Sequence, residues 1–234
     1  MKKYPIQITE NRKVKRITVW QSVADFLDAF NVERGLIYTI KLLFTRPGRL
    51  IRFYLEEGRY RVVNAFRLLI ITTAVSLLLL NYSNSFEALY EVQGSSDAEA
   101  QKVSDLLGKI FRDWYNLIIW LSIPFYALFS FLLFRKYEKL NYAEHVVTQS
   151  FYISISNIII ICLFPLSFLI KTEIFFLISL CVGTFYYGFI FYTMYQARGF
   201  WFFMRIVFSF FLGNISYALA FAGIIIPIVD NLTK

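Results

Sequence analysis

The chain has 234 residues, of which 58% are hydrophobic and 20% aromatic, and its mean hydropathy is +0.55. A soluble domain of this length cannot hide so much apolar surface, so the composition excludes an ordinary soluble protein and favours one integral membrane domain. The net charge of +8 is typical of contact with an anionic surface. Because no nucleic-acid module accompanies it, we expect anionic lipid headgroups rather than nucleic acid as the partner of that charge.

The N-terminal region, residues 1–61, is predicted to form short helices at the cytoplasmic face of the membrane. Ser22 opens the stretch SVAD, in which a serine precedes an acid by three positions, as at a helix N-terminus. The apolar stretch LIYTIKLLF is too short to span and is expected to lie on the membrane or to pack against the bundle. No cleavable signal peptide is expected, since no apolar stretch follows the basic start.

The segment RPGRLIRFYLEEGRYR, residues 46–61, predicts an interfacial amphipathic helix. Proline suits its first turn and glycine its end, while apolar and basic side chains occupy opposite arcs at helical spacing. One interpretation is a topological anchor held by lipid phosphates, and the other is a headgroup or protein-docking site built around the arginines. The predicted site comprises Arg46, Arg49, Arg52, Arg59 and Arg61, with Pro47, Gly48 and Gly58 as its structural motif.

Five apolar runs are long enough, or nearly so, to cross about 30 Å of hydrocarbon. The first is the weakest because Asn64 and Arg67 interrupt it, and a re-entrant or surface-lying segment is its alternative. The predicted fold class is therefore all-α, an integral membrane bundle of about five transmembrane helices preceded by cytoplasmic or interfacial amphipathic helices. The runs are 62–80, 115–134, 146–170, 174–194 and 206–229, which together form a membrane domain over 62–229 before a short external tail, 230–234.

Residues 82–114 form the predicted external loop between the first two spans. Its second half places apolar side chains on one face of a helix and charged ones on the other. This half is either a helical extension of the second span or a lid or partner-binding helix.

The distribution of positive charge predicts the orientation of the bundle. With five spans, 19 of the 24 Lys and Arg residues share one side of the membrane. The positive-inside rule then places the N-terminus in the cytoplasm and the C-terminus outside.

The third run is the most polar of the five. Its polar side chains either line a water-filled path or proton relay, or they hydrogen-bond between helices near the interface. The candidate residues are Glu144, His145, Gln149 and Asn157.

The fifth run carries a stripe of small residues at spacings of four and three. Such a stripe lets helices approach closely, either inside the protomer or between protomers. Its members are Ser209, Gly213, Ser216, Ala220 and Gly223.

A longer segment, VERGLIYTIKLLFTRPGRLIRFYLEEGRYR and the run after it, resembles the signature of an uncharacterised family of bacterial multi-span membrane proteins, common in Bacteroidetes. With the later stretches YEKLNYAEHVV and MYQARGFWF, the resemblance covers about residues 31–210. The sequence departs from that family at two points. It lacks the Cys-rich zinc ribbon with which many members begin, and it has Asn64 where a proline often stands. The resemblance therefore implies no metal role. The matching positions are Glu33, Arg34, Gly35, Thr39, Pro47, Gly48, Arg49, Tyr54, Gly58, Arg59 and Arg61.

No catalytic motif, metal-ligand pattern or cofactor signature is recognisable in the sequence. We therefore expect that the protein is not an enzyme and binds no cofactor and no metal. The leading hypothesis is a non-catalytic inner-membrane protein that assembles with itself or with a partner protein. The second is a small pore or transporter, or a membrane effector or accessory of an antiviral defence system.

Overall fold

The computed structural model describes residues 35–56, 62–83, 98–137 and 140–233. Across these ranges the chain is built from α-helices and one short 3-10 helix, Phe164–Phe168, with no strand, which confirms the predicted all-α class. The helix predicted at Ser22 lies outside the described residues. The α-helices are α1 (Gly35–Thr45), α2 (Pro47–Glu56), α3 (Ala65–Tyr82), α4 (Ala98–Phe134), α5 (Tyr142–Leu163), α6 (Thr172–Tyr195) and α7 (Phe200–Thr233).

Five segments of the described chain are long and apolar enough to cross a membrane, which confirms the predicted number of spans. The second to fifth spans all begin earlier than predicted, the second and fifth by the most, because helical structure continues through charged residues that hydropathy alone assigns to loops. The spans are Ala65–Tyr82, Leu106–Phe134, Tyr142–Phe168, Thr172–Tyr195 and Phe200–Ile224.

The first span is a regular helix despite its polar start. Asn64 lies just outside α3 and accepts a hydrogen bond from the Phe66 amide at 2.9 Å, so it is an N-cap rather than an interruption. Arg67 lies in the first turn of the helix with its side chain exposed. The two residues that weakened the prediction therefore occupy the end of the span.

The second span begins as part of a much longer helix. At 1.5 Å per residue, the 37 residues of α4 extend about 55 Å, well beyond the thickness of the hydrocarbon core. The Phe111 ring packs 5.5 Å from the Phe221 ring, so the extension runs beside α7. The predicted helical extension is confirmed, and its continuity with the span contradicts a separate lid.

A cluster of aromatic rings ties together the turn after α4 and the turn after α6. The Phe134 ring stacks on Phe191 at 4.6 Å and on Tyr195 at 5.2 Å, and it meets Phe202 edge-on at 5.6 Å. Such pairs add stability beyond the area they bury. The described residues 135–137, 140–141 and 196–199 therefore lie at one end of the bundle, which we call the basic end.

A smaller cluster closes the opposite end. Leu80, Tyr115 and Phe175 are buried together there, near the end of α3 and the start of α6. The spans consequently alternate in direction, and Lys171 precedes α6 at the end far from Arg135 and Arg198.

Candidate functional site

Helix α2, predicted to lie on the membrane, is instead seated on the bundle. It begins at Pro47 as predicted, because a proline needs no amide partner in the first turn. Leu50 and Ile51 are almost fully buried, and the Tyr54 ring meets Phe151 edge-on at 5.2 Å. The prediction that the apolar arc faces lipid is therefore wrong, because α5 and α6 supply an apolar surface that competes with the membrane.

Gly48 makes this seat possible. Its amide donates a hydrogen bond to Thr193 Oγ1 at 3.0 Å, and a β-carbon at this position would lie 2.6 Å from the Met194 Cα. The same β-carbon would overlap backbone atoms of Thr193 and Met194. Only a glycine allows the backbones of α2 and α6 to approach this closely.

The chain then turns sharply beside α2. Gln196 ends α6 in the left-handed conformation, at φ 50°, and its amide donates to the Tyr192 carbonyl at 3.0 Å. Gly199 follows with φ 124°, a region that side chains disfavour. These two residues direct the 196–199 turn, and with it Arg198, toward the start of α2.

Together these elements form an arginine pocket with a volume of about 470 Å³. Arg46 and Arg49 are both exposed to solvent, and Arg198 completes the set from a distant part of the sequence. Among the described residues that line the pocket there is no acidic side chain, so its electrostatic preference is for an anion. The lining residues are Thr45, Arg46, Arg49, Tyr192, Thr193, Gln196 and Arg198.

Other basic residues of the predicted site lie elsewhere. Arg52 is half-buried on α2 and does not line the pocket. Gly58, Arg59 and Arg61 fall outside the described residues. The predicted arginine set is therefore brought together only in part.

Arg198 was missed as a site residue, because the sequence assigned it only to the charge balance. Its position in MYQARGFWF, one of the stretches that carry the family resemblance, was the sequence feature that could have identified Arg198 as a site residue. Its neighbour Arg205 differs, since its guanidinium lies 5.2 Å from the Tyr137 ring centroid and donates to the Leu133 carbonyl at 3.4 Å. Arg205 therefore contacts the end of α4 and the turn after it, whereas Arg198 lines the pocket.

The four residues of the predicted polar path do not form one continuous row. Glu144 belongs to a capping box, in which its side chain accepts from the Asn141 amide at 2.7 Å and its own amide donates to Asn141 Oδ1 at 3.0 Å. This residue therefore stabilises the start of α5 rather than lining a path.

His145 and Gln149 meet a single serine of the second span. Gln149 Nε2 donates to Ser130 Oγ at 3.1 Å, and His145 Nδ1 lies 3.0 Å from the same oxygen. Both side chains are fully buried. His145 Nε2 has no hydrogen-bond partner among the described residues.

Asn157 belongs to a separate cluster nearer the other end. Its Nδ2 donates to Thr73 Oγ1 at 2.9 Å, and Trp120 Nε1 donates to the same oxygen at 3.3 Å. A cavity of about 220 Å³ touches Asn157 together with Ser156 and Asn214, but neither His145 nor Gln149 lines it. These contacts join α3, α4 and α5, as the interhelical interpretation predicts.

The small-residue stripe divides between two environments. Ser209 Oγ lies 2.6 Å from Tyr187 Oη, and a β-carbon on Gly213 would lie 2.7 Å from Tyr126 Cδ1, so this half packs inside the protomer. A β-carbon on Gly223 would meet nothing within 4 Å. Between these ends, Ser216 and Ala220 are half-buried.

The fold and this site define an all-α bundle with five helices of membrane-spanning length and a basic pocket at one end. The sequence model of a family described as "Protein of unknown function (DUF3667)" matches residues 33–77. That segment contains α1, α2 and most of α3, and hence Gly48 and the pocket residues Arg46 and Arg49. No curated protein and no solved structure matches the chain. The match fits an uncharacterised family and brings no activity with it.

Proposed function

We propose that this chain is a non-catalytic multi-pass protein of a bacterial inner membrane that assembles, with itself or with a partner protein, through its basic end. The observation that carries the proposal is the arginine pocket, in which three cationic side chains surround an open cavity. The close contact of Gly48 with Thr193 and Met194 holds two of these arginines on a fixed element. A pre-organised cluster of guanidinium groups suits an acidic group of a partner.

A non-catalytic role is supported by how the polar side chains of α5 are used. Glu144 caps a helix, and Gln149 and Asn157 donate hydrogen bonds to neighbouring spans. Groups used in this way hold helices together and are not positioned around a common reaction centre. Assembly through the small-residue stripe is less well supported than assembly through the pocket, because Ser209 and Gly213 already pack inside the protomer.

The proposed orientation has the basic end in the cytoplasm and the C-terminus outside. The turns that carry Arg135, Lys136 and Arg198 lie at the same end of the bundle as α2. Positive residues in short loops favour the cytoplasmic side during insertion. The pocket would then face the leaflet surface and the cytoplasm, where acidic groups of lipids and proteins are available.

Crosslinking in intact membranes, followed by purification and measurement of mass by light scattering, tests the assembly proposal. The variant Arg46→Glu/Arg49→Glu/Arg198→Glu should lose the crosslinked assembly, because like charges then repel an acidic partner. The matched control is Lys41→Glu/Arg135→Glu/Lys136→Glu, which reverses three charges at exposed positions outside the pocket. A wild-type protein that is monomeric and carries no partner in membranes would contradict the proposal.

A small pore or transporter is the second candidate, and the antiviral effector or accessory role would be one use of it. The observation that favours it is the buried His145, whose Nε2 has no hydrogen-bond partner among the described residues. A buried polar atom of this kind is a place for a water molecule or a solute. Flux of ions from liposomes that contain the protein, abolished by His145→Phe, would support a pore. A wild-type protein that gives no flux would eliminate it.

A further inference from the structure

An apolar groove adjoins the arginine pocket. It lies between α6 and α7, has a volume of about 680 Å³, and is lined mainly by aromatic and aliphatic side chains such as Phe189, Phe203 and Ile206. Tyr192 and Arg198 line both the groove and the pocket. The two spaces are therefore neighbouring parts of one surface that changes from apolar to cationic.

The position of the groove on two span-length helices determines which ligand fits it. Its walls belong to segments that would lie at the depth of lipid chains, and Phe185 and Phe203 expose more than half of their surfaces there. The arginine pocket lies where these helices end, at the level of phosphate groups. A ligand that satisfies both parts has an anionic head and a hydrocarbon chain.

We propose that the pocket and the groove form one binding site for an acidic phospholipid. Its phosphate binds between Arg46, Arg49 and Arg198, and one acyl chain lies along the groove between α6 and α7. Both volumes fall within the range of about 300–1,000 Å³ that is common for small-molecule sites. The inference rests on the same arginine pocket as the proposed function and names the ligand class of that pocket.

The structure explains why the three arginines converge only in the folded chain. Arg46 and Arg49 flank the Gly48 contact with α6, and Arg198 is brought back by the left-handed turn at Gln196 and Gly199.

A soluble phosphate would use the pocket alone and leave the groove without a role. An acidic peptide would likewise use the pocket but has no reason to prefer a groove at acyl-chain depth.

Native mass spectrometry of the protein, released from membranes of phosphatidylglycerol and phosphatidylcholine with identical acyl chains, tests the site. We expect wild type to retain phosphatidylglycerol in preference to phosphatidylcholine. Arg46→Gln/Arg49→Gln/Arg198→Gln should bind it about a hundredfold more weakly, because each basic residue near an anionic group contributes to binding. The control Lys41→Gln/Arg135→Gln/Lys136→Gln removes the same charge from exposed positions outside the pocket and should bind as wild type.

A second pair of variants tests the groove without changing charge. Gly188 lines the groove, and a β-carbon there would make an ordinary contact of 3.8 Å with Ile206 Cγ2. Gly188→Leu should therefore fill the groove and displace its chain, whereas the control Gly223→Leu, at a position outside the groove where a β-carbon meets nothing within 4 Å, should retain phosphatidylglycerol. If the triple glutamine variant does not fold, Arg198→Gln alone removes the cation that belongs to both spaces.

Several results would overturn the lipid site. They are equal retention of the two lipids, unchanged retention by the arginine variants, and complete competition by glycerol phosphate, which has the head without the chain. If an acidic peptide displaced the bound lipid and the protein did not prefer phosphatidylglycerol to phosphatidylcholine, the pocket would have a protein ligand and not a lipid. Assembly that persists in a protein that retains the two lipids equally would leave the proposed function standing while the lipid site fails. A lipid-retaining monomer without a partner would show the reverse.

Discussion

The amide of Gly48 donates to the hydroxyl of Thr193 across 145 positions of sequence, and this contact fixes α2 on the end of α6. The contact belongs to a region in which no β-carbon fits between the two backbones. It explains why a glycine follows the helix-starting Pro47 in the segment matched by the family model. The pair therefore fixes α2, and with it Arg46 and Arg49, at the basic end.

Replacement of Gly48 by alanine should release α2 from α6. We expect Gly48→Ala to destabilise the protein by about 1–3 kcal/mol, because the backbone on either side must shift to admit the β-carbon. The measurements are thermal unfolding in mild detergent and hydrogen exchange of the α2 amides, which should become faster. Gly188→Ala is the control, since its β-carbon meets Ile206 at an ordinary distance. Equal stability of the two variants would contradict the close contact.

Two glycines of the small-residue stripe on α7 have different surroundings. They therefore give a prediction that does not depend on the arginine pocket. Gly213→Ala should cost about 1–3 kcal/mol, since the added carbon would press on Tyr126, whereas Gly223→Ala should change stability by less than about 0.5 kcal/mol. Unfolding of the purified variants in detergent measures both. If Gly223→Ala instead reduced the mass of the assembly, the outer half of the stripe would be an interface between protomers.

Ser130 holds two buried side chains of α5 at once. Ser130→Ala should destabilise the bundle by about 1 kcal/mol, because His145 Nδ1 and Gln149 Nε2 lose their shared partner. Ser179→Ala is the matched control, since Ser179 is also buried and its hydroxyl donates to the Phe175 carbonyl within its own helix. Comparable unfolding of the two variants would show that the interhelical bonds contribute nothing specific.

The N-cap residue of the first span, Asn64, has a backbone conformation that a proline could also adopt. Asn64 has φ −57° and ψ 134°, which a proline adopts without strain. Asn64→Ala should cost about 1 kcal/mol through the lost cap. Asn64→Pro should cost less, because a proline also restricts the unfolded chain. Stability of the alanine variant equal to or above that of the proline variant would contradict this account.

Hydropathy and helical periodicity predict most of the fold correctly. Long apolar runs identified the five spans, and Pro47 identified the start of α2, because both signals are local. The start of the second span was misplaced, since charged residues such as Lys109 continue the helix beyond the apolar run.

The candidate site was predictable only in part. The pattern of α2 shows that one face is apolar but not whether lipid or protein covers it, since both surfaces are apolar. The meeting of Arg198 with Arg46 depends on a contact between distant segments, which no periodicity reports. The same applies to α5, whose polar residues look like one row until Ser130 and Thr73 divide them between two neighbouring helices.

The contact between Gly48 and Thr193 has a consequence for biosynthesis. The ribosome makes α2 before the five spans described above and α6 only after three of them, so α2 cannot pack on α6 while those three spans are being inserted. During that interval its apolar arc needs cover, and the surface of the bilayer provides it for an amphipathic helix. The helix is thus suited to two successive environments, first the lipid surface of a nascent chain and then the end of α6.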